Sequence, residues 1–108
     1  MQEGLYEVHF HTVHGTGTGV VYACNGKLRG GNSAFTFIGS YHPKDGAIAA
    51  RVSTRRFNAD PAHDGLFGLE GVTLALSGVG DGDSYNFEGA ALQLPGVNFK
   101  ASLSRIAD

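Results

Sequence analysis

The sequence predicts an all-β protein, an eight-stranded antiparallel up-and-down β-barrel that residues 1–108 form as one domain. Short runs of alternating apolar and polar residues follow one another, and turn-forming steps such as Asn-Gly, Asp-Gly and Pro-Gly interrupt them about every eight to twelve residues. Side chains alternate between the faces of a strand, and Gly or Asn accepts the positive φ of a tight turn. Eight consecutive strands leave two aggregation-prone edges unless the sheet closes, so we expect a closed barrel.

The first three strands are separated by two turns. Residues 5–13 form the first strand, with one face exposed to solvent. The second strand spans residues 18–23 and ends at Asn25-Gly26, a strong hairpin signal; the short third strand spans residues 27–30. In the first strand the apolar side chains are Tyr6, Val8 and Phe10, and the polar ones are Glu7, His9 and His11.

The fourth and fifth strands form a hairpin. The fourth alternates from Phe35 to Tyr41, and residues 43–46 (Pro-Lys-Asp-Gly) have the composition of a hairpin loop. The fifth spans residues 47–57, and residues 58–70 are predicted to be an irregular loop that Leu66, Phe67 and Leu69 attach to the barrel or that caps one mouth. The fifth strand places Ile48, Ala50 and Val52 on one face and Arg51, Ser53 and Arg55 on the other.

The last three strands complete the barrel. The sixth contains Val72 and Leu76 and ends near Gly80, the seventh begins near Tyr85, and Pro95-Gly96 is predicted to be the last turn. Leu92 and Leu94 are out of phase with the seventh strand, which indicates a bulge. The predicted core contains Tyr6, Val8, Phe10, Phe37, Val52, Leu74, Leu76, Phe87 and Phe99. The apolar residues predicted to face outward, where they would form a dimer interface, are Leu5, Val21, Ile38 and Leu92.

Composition limits the possible functions. The net charge of −2 provides no strong positive field, so direct binding to nucleic acid is not expected. No stretch approaches the ~20 apolar residues that span a bilayer, and the first residues do not resemble a secretory signal, so we expect a cytoplasmic protein without membrane contact. Cys24 is the only cysteine, so neither an internal disulfide nor a thiolate cluster is expected.

No motif predicts catalysis, a cofactor or a metal. His9, His11 and His14, with His42 or His63, offer imidazoles for zinc, but histidines on the wet face of a strand are usually solvated, so we expect no metal site. No nucleophile elbow or pair of catalytic carboxylates is evident, so we expect no enzymatic activity.

Framework residues along the chain resemble the GrlR-like family, small bacterial negative regulators of type III secretion genes. The resemblance rests on four segments: Gly4-Leu5-Tyr6-Glu7-Val8, the hairpin from Gly19-Val20-Val21 to Asn25-Gly26, Gly30-Gly31-Asn32-Ser33 leading to Phe37-Ile38-Gly39-Ser40-Tyr41, and Arg55-Arg56-Phe57-Asn58. It implies a lipocalin-like barrel that forms a homodimer and sequesters a transcriptional activator without catalysing a reaction.

The loop after the fourth strand is the predicted partner-binding element. The family's regulator has an acidic run there, whereas this chain has one base, Lys44, and one acid, Asp45. If the partner binds at this loop, the contact must use these two residues with Arg51 or Arg55. Arg51, Arg55 and Arg56 are either a solvated strand end or part of a partner-binding patch.

A second function remains possible from the sequence, a carrier that holds a small apolar ligand inside the barrel. An eight-stranded barrel is either filled by side chains or just wide enough for one small ligand. Many large aromatic residues favour a filled interior. The inward aromatic residues of such a carrier would be Tyr6, Phe10, Phe35, Phe37, Tyr41, Phe87 and Phe99.

Overall fold

Eight antiparallel strands close into a barrel in the computed structural model, which describes residues 1–13, 15–59 and 71–108. Each strand pairs with the next, and β8 pairs with β1 to close the sheet. The predicted eight-stranded up-and-down barrel is confirmed. The strands are β1 (Gly4–Thr12), β2 (Gly15–Cys24), β3 (Lys27–Gly31), β4 (Phe35–Lys44), β5 (Ala47–Arg56), β6 (Gly71–Asp81), β7 (Ser84–Ala91) and β8 (Leu94–Ala107).

Two hairpins have tight turns where the sequence predicts turns, but Pro43 and Lys44, predicted to lie in the second loop, continue β4 instead. Asn25 and Gly26 have φ of 53° and 76°, and Asp45 and Gly46 have φ of 53° and 79°. Two consecutive residues with positive φ are typical of a type I′ turn, which matches the twist of the strands that it joins. These turns set the registers of β2 with β3 and of β4 with β5.

The barrel interior is filled mainly by aromatic and branched side chains. Three predicted core residues, Phe10, Val52 and Leu76, are half-buried, and the other six are buried. Of the seven aromatic residues predicted to point inward, Tyr41 and Phe10 are half-buried and the rest are buried. The ring of Phe10 packs edge-on against Phe37, with 6.1 Å between centroids, and is stacked with Phe99 at 5.8 Å.

The prediction that Val21 faces outward is wrong. Val21 lies directly opposite Tyr6 in the register of β1 with β2, and residues directly opposite each other point to the same face of a sheet. Val21 is therefore buried at 5% exposure, and its neighbours Val20 and Tyr22 point outward. Of the other residues predicted to face outward, Ile38 and Leu92 are exposed and Leu5 is half-buried.

The last turn differs from the prediction because it falls at Leu92 and Gln93, whereas Pro95-Gly96 lies inside β8. The Leu92 amide donates to the Thr73 carbonyl at 2.8 Å, and the Thr73 amide donates to Gln93 Oε1 at 3.1 Å. These bonds hold the turn against β6. The predicted irregularity is present: the register of β7 with β8 shifts between Ala90 and Ala91, and a bulge of this kind accommodates proline.

The long loop predicted for residues 58–70 is described only at its start. The amides of Phe57 and Asn58 both donate to the Ala34 carbonyl, at 2.8 and 3.3 Å, and this attaches the end of β5 to the loop before β4. Leu66, Phe67 and Leu69 lie outside the described residues. In the part of the chain that the structure describes, no helix has the length and hydrophobicity needed to cross a membrane.

Candidate functional site

Five of the chain's eight Lys and Arg side chains lie on the outer side of three neighbouring strands. We call this surface the basic face. All five are exposed, because they alternate with the inward residues of their strands. β3 contributes Lys27 and Arg29, β4 contributes Lys44, and β5 contributes Arg51 and Arg55.

The strand registers bring these cations close together. Ser40 lies directly between Lys27 and Arg51, so two strand spacings, about 10 Å, separate the Cα atoms of these two residues. In the next row, Ile38 lies between Arg29 and Ser53. One segment of a binding partner can therefore reach cations on both sides of β4.

Little negative charge balances the basic face. Asp45 is the only carboxylate between Lys27 and Arg56 in the sequence. No ion pair joins any of the five cationic side chains to another residue that the structure describes. Among the described residues this face therefore has an excess of positive charge, although the chain carries a net charge of −2.

An exposed apolar side chain lies among these cations. Ile38 on β4 is 54% exposed and lies directly opposite Arg29. A single exposed Ile is unremarkable by itself. Its position in the basic face gives that face both charge and an apolar contact, the combination found at protein interfaces.

Three of the four residues predicted to bind a partner lie together on the basic face. Lys44 ends β4, and Arg51 and Arg55 point outward from β5, as the alternation predicts. Asp45 lies in the turn after Lys44 and is exposed. Arg56 faces the other way: its guanidinium carbon is 4.6 Å from the centroid of the Phe35 ring, and its Nη1 donates to the Asn58 carbonyl at 3.1 Å.

Lys27 and Arg29 were not predicted as site residues. The signal was available, because the Asn25-Gly26 turn and the alternation of β3 place both side chains on one face. What the sequence does not contain is the pairing of β3 with β4 that brings them beside Arg51.

An apolar strip adjoins the basic face on β8, β1 and β2. It consists of Leu5, Val20, Tyr22 and Ile106, of which Leu5 is half-buried and the others are exposed. Tyr22 lies directly opposite both Leu5 and Arg29, so it joins the strip to the basic face. Apolar residues on neighbouring strands form the kind of patch that monomers seldom expose.

A tyrosine pair lies beneath residues 1–3, near the start of β1. The Tyr6 hydroxyl donates to the Gln2 carbonyl, and the Gln2 amide donates to Tyr85 Oη at 3.0 Å. The two rings meet edge-on with 5.8 Å between centroids. The pKa of Tyr6 is raised to about 12, mainly because the hydroxyl is buried and secondly because Tyr85 lies beside it. Burial also raises the pKa of Tyr41.

The barrel interior contains an apolar cavity of about 70 Å³. Rings of Phe10, Phe37, Phe87 and Phe99 line it. Thr54 is the one polar side chain among its lining residues. The Thr54 hydroxyl donates a hydrogen bond to the Val72 carbonyl at 3.4 Å and accepts one from the Val72 amide at 3.3 Å. Pockets for small-molecule ligands typically hold about 300–1,000 Å³. The volume therefore favours a filled barrel over a carrier.

The histidines predicted as possible zinc ligands are not gathered into a site in the described residues. His9 Nε2 lies 2.8 Å from Glu7 Oε1 on the exposed face of β1, and His11 is exposed on the same strand. His14 and His63 lie outside the described residues. Among residues 1–13, 15–59 and 71–108, no three His, Cys, Asp or Glu side chains are placed to hold a metal ion.

Comparisons with known proteins return no relative. A scan of the chain against protein-family models finds no matching family, and a search of the curated proteins finds no match. The similarity to the GrlR-like family therefore rests on the framework residues alone and stays a prediction.

Proposed function

We propose that this chain is a small non-enzymatic binding protein that sequesters a protein partner on its basic face. It would sequester a transcriptional activator as the GrlR-like regulators do, but through cations in place of their acidic run, and the cytoplasm is the expected location. One observation carries the proposal: four exposed cations without ionic partners among the described residues lie around the exposed Ile38. They are Lys27, Arg29, Arg51 and Arg55, and Lys44 lies farther along β4. Charged and apolar contacts combined in this way provide both orientation and affinity at interfaces.

Two further features support binding over catalysis. Two hydroxyl groups of the basic face are already hydrogen-bonded: Thr36 Oγ1 donates to the Arg55 carbonyl, and Ser53 Oγ lies 3.2 Å from Thr73 Oγ1 on β6. No general base is paired with either of them, so neither hydroxyl is activated as a nucleophile. The rigid barrel also holds the basic face in one geometry, which lowers the entropy cost of binding.

We also propose a homodimer that forms through the apolar strip. Leu5, Val20, Tyr22 and Ile106 lie on three adjacent strands and would be covered by a second copy. Tyr22 is well suited to such a contact, because tyrosine is enriched at interfaces and loses little conformational entropy. Tyr22 lies directly opposite Arg29, so the edge of the basic face would border such an interface, whereas Arg51 and Arg55 lie two strands farther from it.

Affinity capture from a native lysate, followed by mass spectrometry, tests the proposed function. The bait proteins are the wild type, Arg51→Glu and Lys100→Glu; Lys100 lies on the outer side of β8, outside the basic face. Both substitutions change the net charge by the same amount. We expect the wild type and Lys100→Glu to retain the same protein and Arg51→Glu to lose it. Equal retention by all three baits would contradict the proposal.

A further inference from the structure

We infer that the partner segment bound by the basic face is acidic and has an apolar side chain that covers Ile38. This inference rests on the proposed function and adds the chemistry of the partner. The carboxylates of such a segment would lie between Lys27 and Arg51, on either side of Ser40, and would reach Arg29 in the next row.

Charge supports an acidic segment. Lys27, Arg29 and Arg51 lie within two strand spacings of one another and form no ion pair with any described residue. An acidic segment would remove the repulsion among them and would be attracted over a distance of about one Debye length, about 8 Å at physiological salt. A basic segment would be repelled by the same face.

The surface beside the cations has room for a peptide. A shallow groove of about 550 Å³ runs across the outer side of β4 to β7. Lys44 and Arg51 line it on the side of the basic face, and Ala49 and Ala75 are among its lining residues. Small side chains leave space there for a main chain that extends past Arg51 from the row of Lys27 and Ser40. Glu88 on β7, opposite Lys100, lines the far side of the groove and repels carboxylates, so the acids of the segment would lie at the Lys44 and Arg51 side.

The same surface is poorly suited to nucleic acid. Proteins that bind single strands stack bases on aromatic side chains, and double-stranded DNA is bound through many phosphate contacts. The outward residues of β3, β4 and β5 include no Phe, Tyr or Trp, and Tyr22 on β2 adjoins them as a single ring. The exposed Ile38 among the cations offers no charge to a phosphate. An apolar side chain of a protein segment would instead bury Ile38 favourably.

The inference is tested with defined probes and fluorescence anisotropy. The first probe is a labelled synthetic peptide with one Leu flanked on each side by Glu and Asp, and its control carries Gln and Asn in place of the acids. A single-stranded oligonucleotide of equal charge and vesicles containing phosphatidylserine represent the other polyanions. The proteins are the wild type, Arg51→Glu, Lys100→Glu, Ile38→Ala and Val79→Ala.

We expect the acidic peptide to bind the wild type, Lys100→Glu and Val79→Ala with similar Kd. Arg51→Glu should raise that Kd about tenfold and Ile38→Ala about fivefold. The neutral peptide should not bind, and added salt should weaken the binding of the acidic peptide. All the substituted side chains are exposed, so circular dichroism should be unchanged in each variant.

Three results would overturn the inference: no binding of the acidic peptide, equal weakening by Lys100→Glu and Arg51→Glu, or tighter binding of the oligonucleotide or the vesicles. Its failure is distinguishable from failure of the proposed function. If the acidic peptide does not bind but Arg51→Glu still loses the protein captured from lysate, the partner chemistry is wrong and the basic face remains the site. If Arg51→Glu retains that protein, the proposed site is wrong.

Discussion

The ring of Phe87 on β7 lies directly against Gly78, its cross-strand partner on β6. A Cβ on Gly78 would overlap the ring, closer than any van der Waals contact allows. Phe87 is 4% exposed, so its ring could move aside only into the small interior cavity of about 70 Å³ that it lines. The glycine at this position makes space for an aromatic side chain inside the narrow barrel.

Gly78→Ala should therefore destabilise the protein. Overpacking of this kind costs about 1–3 kcal/mol of unfolding free energy, which urea denaturation followed by circular dichroism would measure. Gly96→Ala is the matched control, because a Cβ on Gly96 meets no atom within 4 Å. If both variants unfold at the same urea concentration, the barrel accommodates a methyl group at residue 78 and the close packing of Phe87 against Gly78 is not needed for stability.

Phe87→Ala should remove a large part of the core. We expect a loss of about 3–5 kcal/mol, from the lost burial and the cavity that remains. Val79→Ala removes an apolar side chain that is 61% exposed and should change stability by less than about 0.5 kcal/mol. An unchanged urea midpoint for Phe87→Ala would contradict the burial of this ring.

Stability should fall at high pH because of Tyr6. Its pKa rises from the ordinary value of 10.0 to about 12 on folding, so the unfolded chain releases its proton first. The stabilisation is fully present below pH 10 and is lost between about pH 10 and 12. Urea unfolding of Tyr6→Phe across this range should show a shallower decrease than the wild type. Because burial also raises the pKa of Tyr41, some decrease should remain.

Sedimentation velocity tests the homodimer. We expect a species near twice 11.3 kDa for the wild type and a monomer for Tyr22→Glu, because a buried unpaired carboxylate opposes association. Val79→Glu introduces the same charge outside the apolar strip and should remain dimeric. A wild-type monomer at micromolar concentration would contradict the dimer.

The charges at the tip of the β4–β5 hairpin can be changed without straining the turn. Asp45 has a φ of 53°, a conformation that Asn also accepts, so Asp45→Asn removes the acid and keeps the fold. We expect this variant to bind the captured partner or the acidic peptide as tightly as the wild type or more tightly, and Lys44→Glu to bind it more weakly. Anisotropy titrations at two salt concentrations would measure both effects. Equal affinity for Lys44→Glu and the wild type would show that the hairpin tip is outside the interface.

Local rules predicted most of the fold. The alternation around Tyr6 and the Asn25-Gly26 turn depend on neighbouring residues alone, because a strand alternates its faces and a type I′ turn needs positive φ. Two of the errors arose where distant contacts decide the outcome. Val21 faces inward because Tyr6 lies opposite it, and the turn at Leu92 is held by Thr73 on another strand.

The candidate site depends on the pairing of distant strands more than the fold itself does. The sequence alone determined that Lys44, Arg51 and Arg55 would be exposed, since they alternate with apolar residues within one hairpin. Only the tertiary structure decided that Lys27 and Arg29 join Arg51 and Arg55 around Ile38. The reason is physical: alternation sets which way a side chain points, whereas strand pairing sets its neighbours, and that pairing is a property of the closed sheet.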